Sequence, residues 1–167
     1  GWYAQDASFS LLTEGTLNPN RKAALRTTFA PGGKIYNIGY FGVPVKEGEE
    51  YHFYFFVQSD AAAGLTVALE SEEGVSLGSS RLTLQKSGGY LRYDCDLTAC
   101  GTDFKGRISI SCDGACTVTL GFTSLMPKKT FKGHGLREDL AMALKNTHAK
   151  FIRFPGGCVV EGINEQN

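Results

Sequence analysis

The sequence lacks the features that mark a nucleic-acid-binding or membrane protein. Its 17 basic and 17 acidic side chains give a formal net charge of zero without a basic stripe, which argues against nucleic acid as a partner. No apolar run approaches the length of a membrane span. The 167 residues are otherwise ordinary globular material, 42% hydrophobic, and are enough for one β-sandwich core with some chain left over.

Helical periodicity is absent between Gly1 and about Met126. This part of the chain contains short segments that are rich in β-branched or aromatic residues and are separated by turn residues. They comprise residues 25–29, 39–43, 51–57, 65–69, 81–84, 107–111 and 116–120. Their spacing predicts a mostly β fold built as an antiparallel β-sandwich.

The segment 51–57 is the most apolar of these strands, and it places aromatic side chains on both faces. One face carries Tyr51, Phe53, Phe55 and Val57, and the other carries His52, Tyr54 and Phe56. A sandwich strand with one wet face is not expected to do so. Large exposed apolar patches mark interfaces in general. Packing against an attached domain is therefore the favoured interpretation, and a sugar-binding platform is the alternative.

Carbohydrate sites on sandwich modules stack sugar rings on aromatic side chains and bond the hydroxyls with amides or carboxylates. The residues suited to this are Trp2, Tyr3, Tyr36, Asn37, Tyr40 and Phe41. Core packing explains any one of them equally well. We retain Trp2, the only tryptophan, and Tyr40 as the candidate carbohydrate-binding residues.

Five cysteines leave the redox state open. Cys112 and Cys116 flank an Asp-Gly turn, and Cys95 and Cys100 flank another short loop. Two disulfides and one free thiol at Cys158 would suit an exported protein, whereas buried reduced cysteines are an equally open alternative. The absence of a CxxC pair disfavours a four-thiolate zinc site.

The pattern changes to helix and back to strand near the end of the chain. Leu136, Leu140, Ala143 and Leu144 recur at the spacing of one buried stripe, which predicts an amphipathic helix over about residues 136–148. A β-prone run then predicts a strand over about residues 150–154, and a Pro-Gly-Gly turn follows it.

Arg153 and Cys158 stand at the carboxyl end of this predicted strand, where functional groups collect in α/β folds. A guanidinium in so apolar a strand needs anionic or strongly polar partners, and a purely structural ion pair would supply them equally well. Gly156 and Gly157 permit close approach by a ligand, although a tight turn is the commoner reason for such a pair.

These residues also resemble a known family. The run GHGLREDLAMALKNTHAKFIRFPGGCVVEG, with SLMP at residues 124–127 before it, is similar to the junction between two domains in α-L-arabinofuranosidases of glycoside hydrolase family 51. The upstream segments NRKAALR, YNIGYFGVPVKEGEEYHFYFFVQS and TSLMPKKTFKGHG resemble the same enzymes, more weakly towards the amino end. The resemblance implies a jelly-roll, carbohydrate-binding-module-like β-sandwich at residues 1–128. It also implies a fragment of a (β/α)8 catalytic barrel at residues 129–167, so that the chain is an excised piece.

The resemblance further implies an activity for the parent protein. It would be an extracellular or periplasmic, retaining α-L-arabinofuranosidase acting on arabinose-containing plant cell-wall polysaccharides such as arabinan and arabinoxylan. Retention requires two carboxyl groups about 5 Å apart, and in the family both are glutamates on later barrel strands. This chain stops short of them and is expected to be inactive. Glu165 follows Asn164 as in the family's acid motif, but it comes after the wrong strand, so we assign it no role.

Supporting roles are implied for residues of the glycine-turn motif. Arg153 would bond the nucleophilic carboxylate and hold it ionised. Cys158, with Gly156 and Gly157, would line the arabinose subsite. The sandwiches of these enzymes often carry a calcium-binding aspartate near residues 120–124, but no carboxylate is present there. We therefore expect no calcium, no other metal and no cofactor.

The implied partners are the polysaccharide and the remainder of the catalytic barrel. Without that barrel, the helix and strand of residues 129–167 expose apolar faces that need cover. We expect these faces to fold back on the sandwich, to pair with a second copy as a dimer, or to fray. A sandwich that only buttresses the barrel, with no carbohydrate binding of its own, is the alternative function.

Overall fold

A computed structural model describes residues 1–151, which divide between two compact units with the boundary after Lys129. The first unit holds nine antiparallel strands: β1 (Trp2–Leu12), β2 (Ala24–Asn37), β3 (Val43–Val45), β4 (Glu50–Ser59), β5 (Ala63–Glu70), β6 (Ser76–Leu84), β7 (Leu91–Thr98), β8 (Asp103–Cys112) and β9 (Cys116–Pro127). The second holds a 3-10 turn (Phe131–Gly133) and the helix α1 (Glu138–Asn146).

The strands of the first unit follow the order β6-β5-β8-β2-β9-β4-β7, with β1 paired to β2 and β3 paired to β8. The two ends of this order also meet, because β6 contacts β7 and the amide of Cys100 donates to the carbonyl of Leu77 at 2.7 Å. The prediction of a mostly β, antiparallel sandwich is therefore confirmed.

Strand β2 joins the two halves of the sandwich. Residues 25–29 pair with β9, whereas residues 34–37 pair with β8. Strand β1 follows β2 along both parts, and its pairing is interrupted between Gln5 and Ala7, where Asp6 has a φ of 50°. One long strand thus belongs to the β9-β4-β7 half and to the β8-β5-β6 half.

The core lies between these halves and is filled by alternate residues of each strand. On β4, the face that carries Tyr51, Phe53, Phe55 and Val57 is buried, with Phe53 and Phe55 no more than 1% exposed. They belong to one apolar cluster with Ile35 of β2 and Ile110 of β8. The alternate residues of β4 are half-buried on the opposite face.

One predicted strand needs correction, and two strands of the structure were missed. Residues 39–42 form a turn instead of a strand, because Gly39 and Gly42 have φ values of 64° and 102°. The amide of Gly42 donates to the carbonyl of Ile38 at 3.0 Å and closes the turn, and the amide of Gly39 donates to Oδ1 of Asn37 at 2.8 Å at its start. Strands β1 and β7 were not predicted, since charged and small polar residues interrupt their apolar positions.

In the second unit, helix α1 is shorter at both ends than the predicted span 136–148. Arg137 has a non-helical ψ of 125°, and His148 has a φ of 52°. The stripe predicted to be buried is exposed: Leu136, Leu140 and Leu144 are 58%, 61% and 55% accessible, and no α1 residue is buried. An amphipathic helix buries its stripe only where another element covers it.

The predicted strand 150–154 lies largely outside the described residues. No helix within residues 1–151 is both long and apolar enough to cross a bilayer.

Candidate functional site

The predicted sugar-binding residue Trp2 lies at the open edge of the core. Its backbone pairs with Asn37, and its half-buried ring packs against the apolar cluster. It lines a cleft of about 210 Å³ with Leu11, Leu25, Leu120, Gly121, Phe122 and Thr123. Apart from the indole N–H of Trp2, Thr123 brings the one polar side-chain group to this lining. The cleft therefore offers few groups that could bond sugar hydroxyls.

The second predicted residue, Tyr40, is on the turn that follows β2 and is 89% exposed. Its ring meets that of Phe41, which is 84% exposed, edge-on at 4.4 Å and 69°. Two rings at this angle do not form a flat platform. Asn37, which was expected to bond a sugar, uses its carbonyl oxygen inside the turn.

Tyr3 and Tyr36 are the predicted aromatic residues that the structure stacks together. They are cross-strand partners on β1 and β2, and their ring centroids lie 5.4 Å apart at 16°. The guanidinium of Arg107 covers the Tyr36 ring at 4.0 Å. This pair serves the local packing of the β1, β2 and β8 strands.

The predicted site residues Arg153, Gly156, Gly157 and Cys158 lie outside the described residues, as does Glu165. Their roles stay predictions. Within the described residues, no group of three or more His, Cys, Asp or Glu side chains is arranged to hold a metal ion.

A further cluster, only partly anticipated from the sequence, covers the solvent side of three neighbouring strands. Cross-strand pairing sets His52, Tyr54 and Phe56 of β4 between two sets of partners. These are Asp96, Asp94 and Arg92 of β7, and Met126, Ser124 and Phe122 of β9. We call these nine residues the β4 outer face. Sequence periodicity identified its β4 members, whereas its β7 and β9 members require the strand register.

Aromatic rings occupy one end of the β4 outer face. The Tyr54 ring lies 5.7 Å from Phe122 and 6.4 Å from Phe56. The guanidinium of Arg92 lies 4.4 Å above Tyr54, and that of Arg21, from the β1–β2 loop, lies 4.6 Å above Phe122. Guanidinium groups stack favourably on aromatic faces at such distances, so both arginines are held over rings.

Charged side chains occupy the rest of the face. Arg92 donates to both carboxylate oxygens of Asp94, from Nε at 2.9 Å and from a terminal nitrogen at 2.6 Å. The His52 ring bridges two carboxylates, with Nδ1 2.9 Å from Asp96 and Nε2 3.1 Å from Asp94. Lys128 also donates to Asp96 at 3.0 Å.

These contacts fix the charge of the acidic residues. The hydrogen bond from Arg92 lowers the pKa of Asp94 below its ordinary value, and the hydrogen bonds with His52 and Lys128 lower the pKa of Asp96. Both groups are therefore carboxylates at neutral pH and act as hydrogen-bond acceptors. Arginine and lysine donors lie beside them, so the face both donates and accepts.

Of the two disulfides considered from the sequence, the structure forms one. Cys112 and Cys116 form a disulfide between the end of β8 and the start of β9. Cys95 and Cys100 are free thiols instead of a pair. Cys95 points into the core from β7, whereas Cys100 is exposed beyond the end of that strand.

Solved structures of known proteins identify the fold class of the first unit. No protein-family model matches the chain. The amino-terminal cellulose-binding domain of β-1,4-glucanase C from Cellulomonas fimi superposes with a TM-score of 0.54 at 16% identity, covering 78% of this chain and 91% of that domain. The first unit therefore has the fold of carbohydrate-binding-module-like β-sandwiches.

The nearer relatives are enzymes. An arabinose-bound α-L-arabinofuranosidase of glycoside hydrolase family 51 superposes with a TM-score of 0.85 at 22% identity, covering 93% of this chain and 28% of that chain. The extracellular exo-α-L-arabinofuranosidase of Streptomyces chartreusis is 33% identical over 149 residues, 87% of this chain and 17% of the relative. Relatives from Arabidopsis thaliana and Aspergillus niger are α-L-arabinofuranosidases as well.

The chain is therefore related to the α-L-arabinofuranosidases, and the resemblance seen in the sequence is confirmed. It spans about a fifth of the length of the curated relatives that it matches.

Proposed function

We propose that this chain is a section of a secreted α-L-arabinofuranosidase that removes terminal arabinofuranosyl residues from arabinan or arabinoxylan. The observation that carries the proposal is 33% identity over 149 residues to an extracellular exo-α-L-arabinofuranosidase. In this proposal, residues 1–128 are the sandwich domain and residues 129–167 begin the catalytic barrel. Arg153 holds the nucleophilic carboxylate ionised, and Gly156, Gly157 and Cys158 line the arabinose subsite.

The coding sequence beyond Asn167 tests the enzymatic part directly. We expect it to encode an Asn-Glu acid and a later nucleophilic glutamate on barrel strands, about 5 Å apart when folded. The parent should release arabinose from an aryl arabinofuranoside, whereas residues 1–167 alone should release none. A parent without both glutamates would refute the assignment. In the parent, Arg153→Lys should lower kcat more than it raises KM.

The sandwich itself is proposed to bind arabinose-containing polysaccharide. Support comes from the β4 outer face, which combines aromatic rings with charged hydrogen-bonding groups. Calorimetric titration of residues 1–167 with arabinan and with arabinoxylan tests this. Heat on titration is expected for a binding module, and no heat is expected for the alternative of a domain that only buttresses the barrel.

Export is the proposed location, to the extracellular space or the periplasm. The relative from Streptomyces chartreusis is described as extracellular, and the Cys112–Cys116 disulfide suits an oxidising compartment. Fractionation of cells that produce the parent should find it outside the cytoplasm, with this disulfide formed. Recovery in the cytoplasm with both thiols reduced would contradict the proposal.

The exposed stripe of α1 is proposed to contact the remainder of the barrel in the parent. Leu136, Leu140 and Leu144 are more than half exposed, and exposed apolar stripes of this kind mark interfaces. In residues 1–167 alone, the stripe should instead pair with a second copy. Sedimentation velocity should then show a dimer that Leu140→Glu dissociates, and a monomer at all concentrations would exclude pairing.

A further inference from the structure

We propose that the β4 outer face, together with Arg21, is the platform on which the sandwich binds a neutral glycan chain. This deepens the proposed polysaccharide binding and rests on it. It assigns the site to Tyr54, Phe122 and the charged residues of β7 instead of to Trp2 and Tyr40, although Phe122 also borders the cleft beside Trp2.

The aromatic residues of the β4 outer face indicate that a ligand binds there. The solvent side of an antiparallel sandwich strand is normally polar, because water covers it. Tyr54, Phe56 and Phe122 lie half-buried on adjacent strands, with Met126 41% exposed along the same row of β9. Contiguous aromatic surface of this kind marks a binding site.

The charges of the face favour a glycan over a protein surface. Interface cores between proteins are depleted in charged residues, whereas Arg92, Asp94 and Asp96 hold three of the nine positions here. A sugar hydroxyl both donates and accepts. The carboxylates of Asp94 and Asp96 each have about four lone-pair sites, so they keep acceptor capacity beyond their contacts with Arg92, His52 and Lys128.

The same charges favour a neutral ligand. Three cationic side chains, Arg21, Arg92 and Lys128, meet three carboxylates at Glu50, Asp94 and Asp96. Because this set is balanced, the surface has no net attraction for a polyanion such as a uronic-acid polymer. A neutral pentose or hexose chain fits it best.

The β1–β2 loop contributes Arg21 to the platform. Its Gly15 carbonyl accepts a hydrogen bond from the hydroxyl of Tyr90 at 3.0 Å. The amide of Arg21 donates to the carbonyl of Asn18 at 3.0 Å. These bonds tie the loop to the start of β7 and place the Arg21 guanidinium over Phe122. Its N–H groups can therefore donate to a ligand that lies beside the rings and over the two guanidiniums.

The direct test compares variants of residues 1–167 in calorimetric titrations with arabinoxylan, arabinan and polygalacturonate. Tyr54→Ala and Phe122→Ala should each weaken binding of the neutral polymers about tenfold or more, as expected for removing a central aromatic contact. Tyr3→Ala and Tyr40→Ala, which truncate exposed tyrosines elsewhere, are the matched controls and should bind as the wild type does. Polygalacturonate should bind more weakly than either neutral polymer.

A measurement on the unaltered chain guards against variants that fail to fold. Addition of arabinoxylan oligosaccharide should shift the backbone amide resonances of Tyr54, Arg92 and Phe122, and should leave those of Tyr40 unchanged.

Each other outcome has a definite meaning. Wild-type binding that shifts Trp2 or Tyr40 instead, or that survives loss of Tyr54 and Phe122, would overturn this site while leaving polysaccharide binding intact. Absence of any wild-type binding would overturn both. If the wild type binds no glycan and Tyr54→Ala lowers the thermal stability of the parent enzyme, the face is an interface between the domains of that enzyme.

Discussion

The Nε of Arg107 donates to Oε2 of Glu70 at 2.8 Å, across the β5–β8 pairing that sets these two residues opposite each other. Ser109 and Lys34 donate to the other oxygen at 2.7 and 3.0 Å. The glutamate is only 6% exposed. Burial alone would raise the pKa of Glu70, but the hydrogen bonds from Ser109, Arg107 and Lys34 outweigh it and hold that pKa below its ordinary value.

Removing this carboxylate should be costly to stability. Glu70→Ala leaves Arg107 and Lys34 without their shared anion, and we expect the free energy of unfolding to fall by about 3 kcal/mol. Urea titration followed by circular dichroism measures it. Glu72→Ala is the matched control, because that carboxylate is 58% exposed and lies 3.8 Å from Lys105. It should change stability by less than about 1 kcal/mol.

Acid should destabilise the fold through the same group. Because the folded-state pKa of Glu70 is depressed, its contribution is fully present above the unfolded value of about 4.3. It is lost as the pH falls through the folded-state value. Unfolding free energies at decreasing pH below neutrality should therefore decline less steeply for Glu70→Gln than for the wild type. Identical slopes for Glu70→Gln and the wild type would contradict the assignment.

A side chain at Gly42, in the turn before β3, should lower the stability of the fold. Its φ of 102° is one that L-residues rarely adopt, and an added Cβ would press against the backbone of Lys105. We expect Gly42→Ala to lower the free energy of unfolding by about 2 kcal/mol. Gly88→Ala, where a Cβ meets open space, should change it by no more than about 0.5 kcal/mol. Thermal unfolding of both variants distinguishes them, and equal effects would refute the contact.

The two free thiols within residues 1–151, Cys95 and Cys100, should react at different rates. Burial, opposed by a hydrogen bond with Ser80, raises the pKa of Cys95 to about 11, so little thiolate forms at pH 8. Cys100 is exposed. Iodoacetamide under native conditions should modify Cys100 first, and Cys112 and Cys116 only after reduction. Peptide mass mapping measures this, and a Cys95–Cys100 disulfide in the same maps would contradict it.

Strand β4 shows why part of the fold was predictable from the sequence. Residues 51–57 predicted a strand whose side chains alternate between two aromatic faces, and the structure buries the face that carries Phe53 and Phe55. Strand β7 has the same alternation, with Cys95 and Leu97 buried. Its outward Arg92, Asp94 and Asp96 lower its apolar content, so that composition alone concealed it.

The candidate site was less accessible to sequence reasoning because it depends on register. Phe122 lies opposite Phe56 only because β9 carries an irregularity next to that pair. Arg21 reaches Phe122 from a loop about a hundred residues earlier in the chain. Periodicity describes one strand at a time and cannot supply such contacts. Conversely, Trp2 and Tyr40 were selected by residue type, and their surroundings offer a sugar little to bond.

The passage of β2 through both halves of the sandwich has a mechanical consequence. Unfolding either half breaks hydrogen bonds to β2, which also pairs with the other half. Neither half can therefore unfold while the other stays native. Heating residues 1–129 should consequently yield a single heat-absorption peak whose calorimetric and van't Hoff enthalpies agree.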